Sequence, residues 1–107
     1  MTDLSESEFW RAAEGSRPIL VDFWAPWCVH CRRIEPVLES LDGQLAIGRV
    51  NIDQEPELAR KEGIEVIPTL KLYQNGRELG HIIAPESKAQ LESFLSDTLG
   101  DKYGTDL

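Results

Sequence analysis

Two apolar runs separated by an amphipathic helical pattern constrain the fold more than any other feature of this sequence. Pro18–Trp24 and Leu45–Ile52 are apolar almost throughout, which is typical of strands buried on both faces of a sheet. Between them, apolar residues recur at helical spacing on one face: Ile34, Val37, Leu38 and Leu41. This pattern predicts a helix that begins near Cys28 and ends at Gly43. A strand, a helix and a second strand in that order form a crossover, which implies a parallel central pair of strands.

The rest of the sequence predicts a hairpin and three further helices. Thr69–Tyr73 and Arg77–Ile83 read as strands on either side of Asn75-Gly76, which favours a tight turn because both residues tolerate positive φ. The three helices are predicted from their start, stop and stripe signals: Ser5–Glu14 with a Ser5/Glu8 capping box, Pro56–Glu62 before Gly63, and a last helix striped by Leu91, Phe94, Leu95 and Leu99 with a Ser87/Gln90 capping box. We therefore expect an α/β fold with helices on both faces of the sheet.

Length and charge exclude several classes of protein. A chain of 107 residues is ordinarily one domain, so we expect a single domain over residues 1–107 with a short polar tail from about residue 100. The net charge of −8 does not provide the basic surface that nucleic acids and anionic membranes require. No apolar run approaches the roughly 20 residues that span a bilayer, and the acidic start lacks the features of a secretory signal. The sequence predicts a cytoplasmic protein, and we expect a monomer.

Cys28 and Cys31 are the two cysteines of the chain, and their spacing occurs in several kinds of site. A c-type haem site needs histidine directly after the second cysteine, where this sequence has Arg32. A structural zinc site usually needs four ligands, and only His30 and the distant His81 could join the cysteines, so we predict no metal. In a reducing cytosol, a lone cysteine pair is more often catalytic or metal-binding than structural. The pattern therefore favours a reactive dithiol.

The predicted position of the pair, between a buried strand and the start of a helix, suits this chemistry. Unpaired backbone N–H groups and the positive end of the helix dipole favour a thiolate on Cys28. Cys31 lies one turn further along the helix, where it can close an intramolecular disulfide with Cys28.

Several motifs together resemble the thioredoxin family over nearly everything from Leu4 to Gly100. The matching segments lie on both sides of the cysteine pair: VDFWAPWC at Val21–Cys28, Pro36 five residues after Cys31, VNID at Val50–Asp53, IPTL at Ile67–Leu70, and the Asn75-Gly76 turn. A CxxC motif alone is weak support, but its combination with an aspartate in a buried strand and a distant Ile-Pro-Thr is specific. The resemblance implies a thioredoxin fold and a protein-disulfide reductase with a part in electron transport and cell redox homeostasis.

The resemblance also implies roles for individual residues. Cys28 is similar to the nucleophile that forms a mixed disulfide with a substrate protein, and Cys31 to the resolving cysteine that releases the reduced substrate. Trp27 resembles the tryptophan beside the active site. Pro68 resembles a cis-proline that faces the dithiol, where the backbone of Ile67 pairs with an extended substrate segment. No bound cofactor is implied; the partners are disulfide-containing substrate proteins and thioredoxin reductase, a flavin- and NADPH-dependent enzyme that supplies electrons.

Asp22 lies inside the first apolar run and has two interpretations. It could be an acid on an edge strand in water, or a buried carboxyl whose pKa is raised by desolvation and which takes a proton from Cys31 through water. Family members commonly carry a lysine on the neighbouring strand, and the equivalent here is Arg49. A permanent cation at this position should hold Asp22 more ionised than a lysine that can lose its proton.

The residues around the dithiol depart from the family pattern. Val29 and His30 stand between the cysteines, where Gly-Pro is usual, and the histidine resembles that of protein disulfide isomerase. We expect His30 to donate a hydrogen bond to the Cys28 sulfur or to attract it as a cation, and in either way to raise the reduction potential above that of typical thioredoxin. The alternative is a solvent-facing ring that tunes partner contacts. Ala84, followed by Pro85, replaces the usual glycine that lines the substrate groove.

The strand before the first helix is also shorter than in the common fold, since only Thr2–Leu4 are available for it. We therefore expect a central mixed sheet of four strands, or of five with a short edge strand. Two other functions remain open besides the reductase. His30 suggests a disulfide oxidase or isomerase, and the scaffold could serve as a redox-inert adaptor with an incidental dithiol. The presence of both cysteines together with Asp22, Trp27 and Pro68 favours the reductase.

Overall fold

In the computed structural model, residues 1–100 are described, and they form five strands and four helices. In chain order the elements are β1 (Thr2–Asp3), α1 (Glu6–Ala13), β2 (Ile19–Trp24), α2 (Val29–Leu41), β3 (Ala46–Asn51), α3 (Pro56–Lys61), β4 (Thr69–Gln74), β5 (Arg77–Ile83) and α4 (Lys88–Leu99). Each predicted end differs from the observed one by two residues at most. None of the helices in this part of the chain is long and apolar enough to cross a membrane. The predicted polar tail, apart from Gly100, lies outside the described residues.

β2 occupies the centre of the sheet, because its apolar residues can be buried on both faces. The strand order is β1-β3-β2-β4-β5, with β2 parallel to β3 and antiparallel to β4. The parallel pair is joined by α2, as the crossover predicts. β1 has only two residues, yet it pairs with β3 in parallel and makes the sheet five-stranded. The predicted α/β architecture with a mixed sheet is confirmed.

Alternation of side chains along the strands divides the core into two clusters, one on each face of the sheet. Helices α2 and α4 cover the first cluster: Leu20, Ile34, Leu38, Leu41, Ile47, Leu70, Leu72, Leu91 and Leu95. Helices α1 and α3 cover the second cluster: Phe9, Ala13, Ile19, Val21, Phe23, Val50, Leu58 and Tyr73. Asp22 shares a face with Leu20, because residues two apart in a strand point the same way. Its carboxyl therefore lies on the side of the sheet that α2 covers.

The two predicted capping boxes have different outcomes. At α1, Ser5 and Glu8 form both reciprocal hydrogen bonds, so this box is confirmed. At α4, Ser87 Oγ accepts a hydrogen bond from the backbone N–H of Gln90, as predicted. The second bond of the predicted box, from the backbone N–H of Ser87 to the Gln90 side chain, is not formed. Gln90 Oε1 instead accepts a hydrogen bond from the backbone N–H of Glu86 at 2.6 Å. The long glutamine side chain reaches the amide one residue further back.

The predicted hairpin turns at Asn75-Gly76, where φ is 54° and 77°. These left-handed values are the ones that asparagine and glycine tolerate best, so the turn prediction is confirmed. The hairpin returns the chain along β5 at the edge of the sheet. β5 ends at Ile83, and the loop of residues 84–87 that follows it leads into α4, next to the start of α2.

Candidate active site

Cys28 and Cys31 lie where the loop after β2 enters α2. Cys28 is the N-cap residue of this helix, and its sulfur accepts a hydrogen bond from the backbone N–H of Cys31 at 3.1 Å. The two cysteines form a disulfide, with Cα atoms 5.3 Å apart. The first turn of a helix has N–H groups without partners inside the helix, so a negative charge on the Cys28 sulfur after reduction would be stabilised at this position.

The two cysteines differ in their access to solvent. Cys28 is 8% exposed, whereas Cys31 is completely buried. The residues that flank Cys28 present apolar surface to solvent, since Trp27 is 66% exposed and Val29 is 60% exposed. An approaching protein can therefore reach the Cys28 sulfur before that of Cys31, and it meets an apolar surface there.

Three residues predicted to bind substrate lie close together around Cys28. The Ile67–Pro68 peptide bond is cis, as the resemblance implied, and the carbonyl oxygen of Ile67 lies 3.9 Å from the Cys28 sulfur. The backbone N–H of Ala84 donates a hydrogen bond to the carbonyl oxygen of Pro68 at 2.8 Å. Ala84 has a φ of 48°, in the left-handed region that favours glycine. These contacts bring the dithiol, the Ile67–Pro68 segment and Ala84 together, with Pro68 itself buried and Ile67 and Ala84 partly exposed.

Trp27 has a partner that the sequence did not identify. Its indole Nε1–H donates a hydrogen bond to Oδ2 of Asp53 at 2.9 Å. The two residues are 26 positions apart, and Asp53 lies just after β3. It is the last residue of the VNID segment, which supported the resemblance without receiving a role of its own. The bond orients a highly exposed side chain beside Cys28.

Asp22 is completely buried in the central strand, so its interpretation as an edge-strand acid in water is wrong. Arg49 is its register partner on β3, with Nε 3.7 Å from Oδ2 of the carboxylate. A second carboxylate shares the same guanidinium, because Oε2 of Glu35 lies 3.4 Å from Nη2. The guanidinium also stacks on Trp24, 3.8 Å from the ring centroid. The sequence identified Arg49 but gave no signal for Glu35 or Trp24 as its partners.

Burial raises the pKa of Asp22 to about 7. The positive charge of Arg49 opposes this rise, and the negative charge of Glu35 adds to it. The 3.7 Å separation from Arg49 is longer than a hydrogen bond, and neither oxygen of Asp22 has a hydrogen-bond donor among the described residues. The charge of Arg49 acts in the expected direction, but desolvation outweighs it; that Arg49 holds Asp22 more ionised than a lysine would stays a prediction. A carboxyl of this kind can gain or lose a proton near neutral pH.

His30 lies in the first turn of α2 and is half-buried, so the solvent-facing alternative is not what the structure shows. Its Nε2 lies 3.0 Å from the carbonyl oxygen of Pro85. This nitrogen is therefore bonded to the loop of residues 84–87 and not to the Cys28 sulfur, which corrects one of the two expected interactions. Any effect of His30 on the sulfur through charge stays a prediction.

A groove of about 400 Å³ opens beside the dithiol, between α2 and the loop of residues 84–87. Its lining residues come from both elements: His30, Arg33, Ile34, Val37, Pro85 and Glu86. Within residues 1–100, no three side chains of histidine, cysteine, aspartate or glutamate lie close enough together to hold a metal ion.

Comparison with known proteins places these features in one family. The thioredoxin family model matches residues 1–97. The thioredoxin of Alicyclobacillus acidocaldarius is 40% identical over 100 residues, which cover 90% of this chain and 95% of that protein. The bifunctional thioredoxin reductase/thioredoxin of Mycobacterium leprae is 39% identical over 88 residues, which cover 78% of this chain and 19% of that protein. Among solved structures, a mutant thioredoxin from Halobacterium salinarum superposes with a TM-score of 0.82 at 25% identity, covering 92% of this chain and 88% of the other. The predicted thioredoxin fold is confirmed.

Proposed function

The chain belongs to the thioredoxin family and is a thiol–disulfide oxidoreductase that reduces protein disulfides, and we propose that Cys28 is its attacking thiol and Cys31 its resolving thiol. The observation that carries this assignment is the contrast between the two sulfurs. Cys28 caps α2, reaches solvent and accepts the Cys31 N–H, while Cys31 is completely buried. A thiolate forms most readily on a sulfur that faces a helix N-terminus. A protein substrate can exchange disulfides only with a sulfur that is accessible from solvent.

The reaction has two exchange steps. The Cys28 thiolate attacks one sulfur of the substrate disulfide, that S–S bond breaks, and the other substrate sulfur leaves as a thiolate. Cys31 then loses its proton and attacks the Cys28 sulfur, so the mixed disulfide breaks and the second substrate sulfur leaves. The dithiol has given two electrons to the substrate and is now the Cys28–Cys31 disulfide.

We assign to Asp22 the role of accepting the proton that Cys31 loses. It is buried on the side of the sheet that α2 covers, and its raised pKa matches proton exchange near neutral pH. The proton would pass between the two groups through water. Arg49 and Glu35 then act on Asp22 as opposing charges that set how readily it accepts the proton.

Substrate recognition by strand addition is supported by the surface around Cys28. An extended substrate segment can pair with the backbone of Ile67, whose carbonyl lies 3.9 Å from the sulfur. Trp27, Val29 and Val66 are exposed apolar side chains that such a segment would cover. Main-chain pairing with few side-chain demands suits an enzyme that acts on many different proteins.

The electron donor we propose is a flavin- and NADPH-dependent thioredoxin reductase, which would place the enzyme in electron transport and redox homeostasis of the cytoplasm. Support comes from the Mycobacterium leprae relative, whose name joins a thioredoxin reductase and a thioredoxin in one protein. A reduction potential above that of typical thioredoxin, caused by a charge on His30, is the second part of this proposal. An oxidase or isomerase activity would require that higher potential.

Insulin reduction tests the proposed function. With dithiothreitol as electron source, the wild-type protein should accelerate precipitation of the insulin B chain, and Cys28→Ser should abolish the acceleration. A wild-type protein without turnover would instead support the redox-inert adaptor.

A further inference from the structure

Ala84 adopts a backbone conformation that an alanine rarely keeps without support. Its φ of 48° brings Cβ close to the neighbouring carbonyl oxygen, a cost that glycine does not have. The residue that follows is Pro85, whose ring further restricts the conformation of the residue before it. Such a conformation persists only where surrounding contacts determine it, and it is often found beside a functional site.

Two hydrogen bonds hold Ala84 and Pro85, one to the cis-proline segment and one to α2. The backbone N–H of Ala84 donates to the carbonyl oxygen of Pro68 at 2.8 Å. The carbonyl oxygen of Pro85, a buried residue, has His30 Nε2 at 3.0 Å. The loop is thereby joined both to the cis-proline segment and to the first turn of the dithiol helix, 55 positions earlier in the chain.

The hydrogen-bond partner of His30, the Pro85 carbonyl oxygen, determines which ring nitrogen carries the proton. A backbone carbonyl oxygen can only accept a hydrogen bond, so Nε2 carries a proton when the ring is neutral as well as when it is charged. The contact therefore does not depend on charge. This separates it from an electrostatic effect of the ring on the Cys28 sulfur, which needs the cation.

The same contact sets the width of the groove between α2 and the loop. His30 and Pro85 stand on opposite sides of that groove, and the bond between them fixes their separation at one end. Further along, Arg33 and Glu86 provide a cation and an anion on the two walls. A side chain of a bound protein that enters this groove would therefore meet walls whose spacing is set by His30.

We propose that His30 is a positioning residue for protein substrates, which holds Ala84 and Pro85 in the shape that a substrate segment meets by donating a hydrogen bond to the Pro85 carbonyl. This inference rests on the proposed function for its substrate class, disulfide-containing proteins. A small disulfide needs only the Cys28 sulfur and does not extend over the loop. His30 thus distinguishes large substrates from small ones.

The kinetic test compares two substrates at one pH. Insulin is the protein disulfide, and 5,5′-dithiobis(2-nitrobenzoic acid) is the small one. His30→Ala should raise KM for insulin about 3- to 10-fold relative to its effect on the small disulfide, the loss that one hydrogen bond gives, because the lost charge near the Cys28 sulfur affects both substrates and the lost hydrogen bond affects only the protein. His30→Gln, which keeps a side-chain N–H donor, should restore most of the affinity. An equal loss for both substrates, or no rescue by glutamine, would overturn the proposal.

Amide hydrogen exchange gives a second test that needs no activity. The Ala84 N–H, protected by its bond to Pro68, should exchange at least about fivefold faster in the oxidised His30→Ala protein, because the Ala84–Pro85 segment loses one of the two hydrogen bonds described above. His81→Gln, at the other histidine of the chain, is the matched control and should leave that exchange unchanged. Unaltered exchange at Ala84 in His30→Ala would refute the positioning role even if the enzyme reduces insulin. Faster exchange without insulin turnover in wild type would support the loop contact and reject the proposed function alone.

Discussion

Asp22 and Arg49 face each other across the parallel pair of β2 and β3, with Nε of the arginine 3.7 Å from Oδ2 of the aspartate. The separation allows an ionic attraction but no hydrogen bond. Oε2 of Glu35 lies 3.4 Å from Nη2 of the same guanidinium. Arg49 therefore interacts with two carboxylates, the completely buried one of Asp22 and the partly exposed one of Glu35. Burial outweighs the attraction to Arg49 and raises the pKa of Asp22 to about 7, and two consequences can be measured.

Asp22→Asn should stabilise the protein at high pH and change little at low pH. The folded protein holds a proton on Asp22 up to a pKa of about 7, whereas the unfolded chain releases it near the ordinary value of 3.8. Stability therefore falls as pH rises between these values, and asparagine removes that loss. We expect a gain in the free energy of unfolding of about 2–4 kcal/mol at pH 8 and little at pH 4. Denaturant unfolding at both pH values measures it, with Asp97→Asn on the exposed side of α4 as control.

The same substitution should slow the second exchange step. Without a carboxyl to accept the proton of Cys31, the mixed disulfide should persist about tenfold longer or more at pH 7. Stopped-flow measurement of the release of a labelled substrate thiol follows this step. An asparagine variant with wild-type release and no gain in stability would show that the carboxyl takes no part in either process.

Cys28 should react with alkylating reagents before Cys31. Limiting iodoacetamide added to the reduced protein should label Cys28 at least about tenfold faster near neutral pH, because its thiolate is favoured at the start of α2 and its sulfur is accessible. Cys31→Ser should accumulate a stable mixed disulfide with substrate, and Cys28→Ser should accumulate none. Peptide mass spectrometry reads both results, and equal labelling of the two thiols would reverse the assignment.

His30→Pro should lower the reduction potential. A charge-assisted hydrogen bond from His30 to the sulfur would correspond to about 30–60 mV, but Nε2 is bonded to Pro85, so we expect the lower end, about 30 mV, from charge alone. The change moves the potential toward the roughly −270 mV of thioredoxin. Equilibration in glutathione buffers measures it, with His81→Gln as control. A shift smaller than about 10 mV would leave His30 without a role in the potential.

Ala84→Gly should make the oxidised protein more stable. Glycine removes the crowding that a left-handed φ causes in alanine, about 1–2 kcal/mol, and adds about 0.5–1 kcal/mol of backbone entropy in the unfolded chain. We expect a net gain of about 0.5–1 kcal/mol in guanidinium unfolding. Ala46→Gly, at the exposed start of β3, should instead lose stability. A loss at both positions would mean that the conformation of Ala84 carries no strain.

The fold could be predicted because its main signals are local. The apolar run of β2 and the Asn75-Gly76 turn act over a few residues, and the crossover needs only the order of strand, helix and strand. The second bond of the α4 capping box was mispredicted because amides at Ser87 and Glu86 are both within reach of the Gln90 side chain.

The contacts within the site could be predicted only in part. The cysteine spacing and the position of Asp22 are visible in the sequence, but the bond from Trp27 to Asp53 joins residues 26 positions apart, and that from His30 to Pro85 joins residues 55 apart. No periodicity links such pairs, and only the packed fold brings them together. The rise in the pKa of Asp22 by desolvation could be predicted from its place in an apolar run, but the contribution of Glu35 to that rise depends on the packed fold.

The place of β2 in the strand order also affects how the chain is made on the ribosome. Its first partner, β3, follows soon after it, but its other partner, β4, is synthesised some forty-five residues later. Until Thr69–Gln74 has emerged, one edge of the most apolar strand has unpaired N–H and C=O groups, and such an edge can pair with other nascent chains. The last third of the chain thus protects the first from aggregation, and a truncated product that ends after α3 should be rapidly degraded or insoluble.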